Sequence, residues 1–213
     1  MANRADNFNR ANGSLNGQTP SDGGSAWVCV TGGSVSSNAF AHGGGGAEYN
    51  SLAAGAADVD VSATMTALPA AFGRGSLMVR ASDSSNFWHC GIRAGSGPTV
   101  GGVWQINKRV AGTDTAVTST TGPSLGVGSS IRVNAVADRI RVYHTPSGGS
   151  ESLVLDTGTG QSFNQSATLH GLGGSFNDAT VRWDDFAITD LGGGGGSAIV
   201  PIVQHLSRLR RAG

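Results

Sequence analysis

The chain has 213 residues, of which 38% are hydrophobic and 13% are charged. This length suffices for one good-sized domain with an appendage, and the apolar content excludes a disordered chain. Glycine contributes 35 residues, and together with the low charge this predicts short strands joined by many turns. The formal net charge is zero, so no global attraction to nucleic acid or anionic lipid is expected.

The N-terminal sequence and the two cysteines indicate whether the protein is exported from the cell in which it is made. The opening "MANRADNFNR" has no apolar region, so no export signal is visible. No apolar run reaches the roughly 18 to 20 residues that a membrane span requires. Without export, Cys29 and Cys90 are expected to be buried free thiols and not a disulfide.

The body of the chain is predicted to consist of strands and turns. In "ADVDVSATMTAL", the residues Val59, Val61, Ala63, Met65 and Ala67 alternate with polar residues, as in a strand with one wet face. The stretches "SDSSN", "AGTD" and "AD" each separate two apolar runs, which predicts three hairpins. We expect "TGGSVSSN" and "AHGGGGAEYN" to be loops. Roughly ten to thirteen strands at this spacing predict an all-β sandwich or jelly roll.

The C-terminal region differs from the body. The strand-like "WDDFAITDL" is followed by the five glycines Gly192 to Gly196 and then by a helix-like pattern. We therefore predict a β-sandwich domain over residues 1–191, a flexible linker over 192–197 and a helix over 198–213. The helix would carry an apolar stripe and a basic end, formed by Ile199, Ile202 (or Val203), Leu206 and Leu209, and by Arg208, Arg210 and Arg211.

This helix is predicted to attach the domain to a larger assembly. At fourteen or so residues and ~1.5 Å per residue it is too short to cross a bilayer, and alone in water it would be marginal. Its partner could be another protein, further copies of the same chain or the outside of its own sandwich, and the glycines argue against the last. A disordered basic tail and a membrane-surface helix are the alternatives.

Four stretches of the body resemble a known family. They are "ADNFNRANGSL", "LMVRASDSSNFWHCGIR", "IRVNAVADRIRVYHT" and "TLHGLGGSFNDATVRWDDFAI". In this order they resemble LamG-like, concanavalin-type jelly-roll modules over about residues 5–190. The resemblance implies a concanavalin-like β-sandwich.

The family resemblance also suggests a role. Such modules occur in extracellular carbohydrate-active proteins of bacteria and in minor tail or other virion proteins of tailed bacteriophages. A short, signal-less chain with one module is closer to a virion protein, made in the host cytoplasm. We therefore expect a non-enzymatic structural or adhesive component of a phage particle, joined to other virion proteins or to its own copies by the helix. A free-standing glycan-binding module is the alternative.

Catalysis is not expected from this sequence. Jelly-roll glycosidases use two carboxylates about 5 to 10 Å apart. The two glutamates, Glu48 and Glu151, have no strand-spaced acidic partner. Asp58 and Asp60 do have this spacing, but on a strand whose valines face the core they are expected to face water. A glycoside hydrolase is therefore the third choice.

The sequence also contains candidate residues for a calcium site and for a sugar site. The resemblance makes Asp6, Asp184 and Asp185 candidates for a structural Ca²⁺ site, because related jelly rolls hold calcium near their ends and a hard cation prefers oxygen ligands. The alternative is that Asp6 caps a turn and one of the other two faces water. No other cofactor is expected.

A sugar site would need an exposed aromatic side chain with polar neighbours. The candidates for a host-surface glycan are Trp88, Trp104 and Lys108, the last two on one face of a strand with Ile106. Packing in the core is the alternative role for each tryptophan. Nucleic-acid binding is set aside because the body has eleven basic and fourteen acidic side chains once the three C-terminal arginines are excluded.

Overall fold

A computed structural model of the protein describes residues 3–44, 47–68, 74–93, 102–175 and 178–192. Within these ranges the chain forms sixteen β-strands and no helix. In chain order they are β1 (Arg4–Asp6), β2 (Gly13–Ser14), β3 (Val28–Thr31), β4 (Ser34–Ser36), β5 (Ala39–Ala41), β6 (Ala47–Ala53), β7 (Val59–Ala67), β8 (Arg74–Asp83), β9 (Asn86–Arg93), β10 (Val103–Val110), β11 (Thr113–Thr121), β12 (Ser130–Val136), β13 (Arg139–Thr145), β14 (Ser152–Asp156), β15 (Leu169–Ser175) and β16 (Arg182–Asp190).

The strands form two antiparallel sheets that enclose one main core. The larger sheet has the order β14-β13-β12-β7-β16-β5-β4-β2, and β1 also pairs with β16. The smaller sheet has the order β11-β10-β9-β8-β15-β6-β3. The prediction of an all-β sandwich is therefore confirmed.

The larger sheet shows the alternation that the sequence predicts. Along β7, Val59, Val61, Ala63 and Met65 are buried, while the residues between them are only partly covered. Val61 pairs with Val133 of β12, so the same parity continues across the sheet. Period-two alternation thus lines one face of this sheet with aliphatic side chains.

The three predicted hairpins are also present. The turn between β10 and β11 contains Ala111 and Gly112, with φ of 47° and 81°. Two successive left-handed residues match the twist of the flanking strands, which is the usual two-residue hairpin geometry. Ala137 has φ of 50° in the turn between β12 and β13.

The opening and closing motifs of the family resemblance meet in space. Asp6 of β1 lies opposite Phe186 of β16. Its carboxylate accepts hydrogen bonds from the backbone N–H of Phe8 at 3.0 Å and from the indole N–H of Trp27 at 2.8 Å, and it forms an ion pair with Arg10. The opening motif is therefore a hydrogen-bonded corner that fixes the first strand against the last.

The N-terminal part of the fold contains more strand than the sequence predicts. The stretch "TGGSVSSN" contains β4, and "AHGGGGAEYN" contains the start of β6, so the prediction of loops there is wrong in part. Strands β1 to β5 are two to four residues long. Tertiary pairing forms them in segments rich in Gly, Ser and Asn, where propensity favours turns.

Cys29 and Cys90 are free thiols. Burial raises the pKa of Cys29 to about 12, and burial also raises the pKa of Cys90. Neither thiol therefore has the thiolate character that a reactive cysteine requires.

Most of the predicted linker and helix lies outside the described residues. Of the linker and helix at 192–213, only Gly192 is described, and its N–H donates to Asp190 at 2.7 Å. The stripe Ile199, Ile202, Leu206 and Leu209 and the basic end Arg208, Arg210 and Arg211 lie outside the described residues and stay predictions. In the described ranges there is no helix of the length and apolarity that a membrane span needs.

Candidate functional site

The two tryptophans considered for sugar stacking lie in the core. Trp88 and Trp104 are both 0% exposed, as is Trp183, and Trp27 is 1% exposed. A buried indole offers no face to a sugar, so the expected stacking role of Trp88 and Trp104 is corrected to core packing. Both strands carry these indoles on the face that packs against the other sheet, and this was the alternative that the sequence left open.

The two indoles instead support two loops, while Lys108 is only partly buried and its sugar-binding role stays a prediction. Trp88 Nε1 donates to the carbonyl of Phe163 at 2.9 Å, and Lys108 Nζ lies 5.7 Å from the centre of the Phe163 ring. Trp104 Nε1 donates to the carbonyl of Pro123 at 2.9 Å. Trp88 and Lys108 therefore anchor the long segment between β14 and β15.

That segment forms one side of a cavity at one end of the sandwich. The cavity measures about 820 Å³. Its walls come from the β6–β7 connection, the β12–β13 turn and the β14–β15 segment. They are lined by Gly55, Ala56, Ala57, Asp58, Ala137, Ser162, Asn164, Gln165, Ser166 and Thr168. Hydroxyl and amide groups, one carboxylate and small apolar residues therefore surround a space that can hold a small oligosaccharide.

Two buried side chains hold one wall of this cavity from behind. His170 Nε2 lies 2.9 Å from the carbonyl oxygen of Ala56. Arg80 Nε donates to the carbonyl of Ala57 at 3.1 Å, and Arg80 Nη2 donates to Asp58 Oδ1 at 2.8 Å. Arg80 and His170 are both 0% exposed. Three consecutive wall residues are thus fixed by β8 and β15.

The same network sets the protonation state of His170. The backbone N–H of Arg80 donates to His170 Nδ1 at 3.2 Å, so the ring proton lies on Nε2 and is donated to Ala56. Burial, assisted by the nearby Arg80 guanidinium and opposed by the hydrogen bond to Ala56, lowers the pKa of His170 to about 4. A second proton, on Nδ1, would face the backbone N–H of Arg80, so the two hydrogen bonds of this ring require its neutral form.

Asn164 fixes the opposite wall. Its side-chain amide donates to the carbonyl of Asn86 at 2.8 Å and to that of Arg80 at 3.2 Å, and it reaches Ser82 Oγ at 3.3 Å. Its backbone has φ of 51°, a left-handed conformation that asparagine tolerates better than most residues. The cavity is therefore preformed on both sides.

Two of the three predicted calcium ligands, Asp6 and Asp184, already accept hydrogen bonds from N–H groups. Both oxygens of Asp6 accept N–H donors, including the turn-closing N–H of Phe8, which is the capping alternative. Asp185 is exposed, and Asp184 Oδ1 accepts its backbone N–H at 2.8 Å. Partial burial and the adjacent Asp185 and Asp6 raise the pKa of Asp184. No group of three or more His, Cys, Asp or Glu suited to a metal occurs in the described part of the chain.

The glutamates lie in separate structural networks. Glu48 is buried, with Oε2 lying 2.6 Å from His42 Nδ1 and Oε1 accepting the N–H of Gly44 at 2.8 Å. Trp183 Nε1 donates to His42 Nε2 at 3.1 Å, so both ring nitrogens of His42 are occupied. No sequence pattern predicts this buried His–Glu pair, because its members come from opposite ends of a glycine-rich connection.

Glu151 lies on the outer face of the larger sheet. It pairs with Arg132, whose hydrogen bonds lower the pKa of Glu151 and which also binds Asp60 at 2.7 Å. A carboxyl group with a lowered pKa is unsuited to general-acid catalysis. Asp58, expected to face water, is instead paired with buried Arg80 and forms part of the cavity wall.

Comparisons with known proteins place the fold. No family model matches the sequence, and no curated protein matches it. The VIP36 exoplasmic/lumenal domain in its Ca²⁺/Man2-bound form has a TM-score of 0.61 at 10% identity, over 94% of this chain and 92% of that one. The CBM2 module of the evolved Dit of Lactobacillus casei BL23 phage J-1 has a TM-score of 0.50 at 10% identity, over 88% of this chain and 96% of that one.

A third neighbour is the GH43 BlXynB protein of Bacillus licheniformis, with a TM-score of 0.57 at 12% identity over 87% of this chain. The chain spans only 39% of the length of that protein. At these identities the likenesses establish the fold alone. They define the class of the chain as a concanavalin-like β-sandwich, as its opening and closing motifs predict.

Proposed function

We propose that this chain is a non-enzymatic, carbohydrate-binding structural component of a bacteriophage virion. The observation that carries the proposal is the end cavity, with polar walls that are fixed before any ligand binds. Preformed walls lower the cost of ordering on binding. Its hydroxyl, amide and carboxylate groups match the hydrogen-bonding needs of a polyhydroxylated ligand.

The neighbours in fold support the same proposal. One is a CBM2 module of a phage protein, and another is the VIP36 exoplasmic/lumenal domain in its Ca²⁺/Man2-bound form. One fold can host many functions, so the cavity carries the proposal and the neighbours only support it. Arg80, His170 and Asn164 hold the cavity walls.

The absence of enzymatic activity is part of the proposal. Glu48 and Glu151 are each engaged with a histidine or an arginine, and neither lines the end cavity. A broad glycan array followed by an assay for newly formed reducing ends tests this. We expect binding without product. Turnover that disappears in Asp60→Asn would instead favour a glycoside hydrolase.

The virion role depends on the predicted docking helix at 198–211. Deleting residues 192–213 should leave the melting temperature and glycan binding unchanged, because the sandwich core lies before residue 192. The same deletion should abolish co-purification with phage particles. If the truncated protein is still incorporated, docking by the helix is wrong, and if the full chain never co-purifies, a free-standing glycan-binding module is favoured.

A further inference from the structure

We infer that the end cavity selects uncharged saccharides over anionic ones, and that Asp58 sets this selectivity. The inference rests on the carbohydrate-binding role proposed above and adds the class of sugar. It follows from the charges at the cavity and from the way in which one carboxylate is held.

The cavity wall carries negative charge. Asp58 is the charged member of the lining set. Behind it, the Arg80 guanidinium is 0% exposed: Nη2 and Nε are bonded to Asp58 and to the carbonyl of Ala57, and Nη1, which has no hydrogen-bond partner in the described part of the chain, is itself buried. Asp138, in the β12–β13 turn, does not line the cavity, and its carboxylate accepts the N–H of Gly160 at 2.7 Å. Asp58 thus presents its carboxylate to the cavity while its arginine partner stays buried behind it, so an anionic group entering the cavity is repelled.

The Asp58 carboxylate has one oxygen available to a ligand. Oδ1 accepts from Arg80 Nη2 at 2.8 Å and from the backbone N–H of Ala137 at 3.1 Å. Oδ2 has no hydrogen-bond partner in the described part of the chain, and the side chain is 17% exposed. A carboxylate is an acceptor only, so it favours ligands that present hydroxyl donors. A sugar carboxylate, sulfate or phosphate would offer it only acceptors.

Arg80 acts as a positioning residue in this arrangement. It fixes the carboxylate in the wall through Asp58 and the backbone of Ala57 through a second bond. A charged acceptor held in one orientation gives larger discrimination than a mobile one, because a wrong ligand cannot push it aside.

The test compares neutral sugars with their acidic counterparts. The probes are cellopentaose, maltopentaose, mannopentaose and chitopentaose, each neutral and, for the three hexose oligomers, also oxidised at C6 to the uronate. Affinity is measured by calorimetry on the full chain. The wild type should bind at least one neutral hexose oligomer about tenfold more tightly than its oxidised form, a ratio equal to about 1.4 kcal/mol. Asp58→Asn keeps the shape and removes the charge, so it should bring this ratio close to one.

A matched control is Asp156→Asn, which removes another arginine-paired aspartate outside the cavity. It should keep the wild-type ratio. If Asp58→Asn fails to fold, the salt dependence of the wild type replaces it: the oxidised probe should gain on the neutral one as added salt screens the repulsion.

The outcomes separate this inference from the proposed function. Oxidised probes that bind the wild type as tightly as neutral ones overturn the selectivity and leave carbohydrate binding in place. An unchanged ratio in Asp58→Asn overturns the role of Asp58. Absence of binding to every probe, and to the glycan array, overturns both the inference and the proposed function.

Discussion

The carboxylate of Asp6 accepts a hydrogen bond from the indole nitrogen of Trp27 at 2.8 Å, in the interior of the protein. Asp6 is 1% exposed and also binds the backbone of Phe8 and the guanidinium of Arg10. Asp6→Ala should therefore lower the free energy of unfolding by about 3 kcal/mol, because it leaves a buried indole N–H and a guanidinium without their acceptor. Urea denaturation followed by tryptophan fluorescence measures this.

The control for Asp6→Ala is Asp185→Asn, which alters an exposed aspartate on the neighbouring strand and keeps a side chain that tolerates its φ of 48°. It should change stability by less than about 0.5 kcal/mol. Equal losses in the two variants would mean that the Asp6 corner contributes nothing special to the fold.

Calcium should have little effect on stability. Both oxygens of Asp6 already accept N–H donors, so Asp184 and Asp185 are what remains of the three predicted ligands. We expect the same melting temperature in millimolar CaCl₂ and in EDTA. A rise on adding calcium that is lost in Asp184→Asn would show that a site forms there, and it would revise the account of this end of the sandwich.

The sequence predicted the regular part of the fold better than its irregular part. The alternation of Val59, Val61, Ala63 and Met65 is a local signal, and burial on one face is its direct consequence. Strands β1 to β5 carry no such signal, because two to four residues are too few to show an alternation. Their pairing decides their structure: β1 and β3, for example, pair with β16 and β6.

The candidate site was harder to predict for a related reason. Its lining residues come from three loops that are far apart in the chain, and they are small or polar and show no periodicity. Tryptophans were predicted to bind sugar because aromatic side chains often do so. In this fold Trp88 does not line the cavity but supports its β14–β15 wall, through a hydrogen bond to the carbonyl of Phe163. Arg80 appeared only as part of a strand, since nothing local indicated that its partner would be Asp58.

Stability should fall in acid through His170. Its pKa is about 4 in the folded protein and about 6.5 in an unfolded chain, so the unfolded state binds the proton first as the pH falls. The stabilisation is complete above pH 6.5 and is lost between about pH 6.5 and 4, by about 3 kcal/mol for this residue.

His170→Gln tests the acid effect, because glutamine can still donate to Ala56 and does not titrate. Chemical denaturation at pH 7.5, 5.5 and 4.5 should show a smaller loss of stability in this variant than in the wild type. Burial also lowers the pKa of His144, which is unchanged in the variant and contributes equally to both curves. Parallel curves would exclude His170 as the group responsible.

The most direct test of carbohydrate binding at the end cavity is calorimetric titration of a cavity-filling variant. Ser166 is exposed and lines the cavity, whereas Ser150 is exposed in the β13–β14 connection and does not line it. With a glycan that the array identifies, Ser166→Trp should weaken binding at least about tenfold, which is 1.4 kcal/mol, while Ser150→Trp keeps wild-type affinity and both variants keep the melting temperature. Unchanged affinity in Ser166→Trp, or an equal loss in both variants, would contradict the assignment of the site.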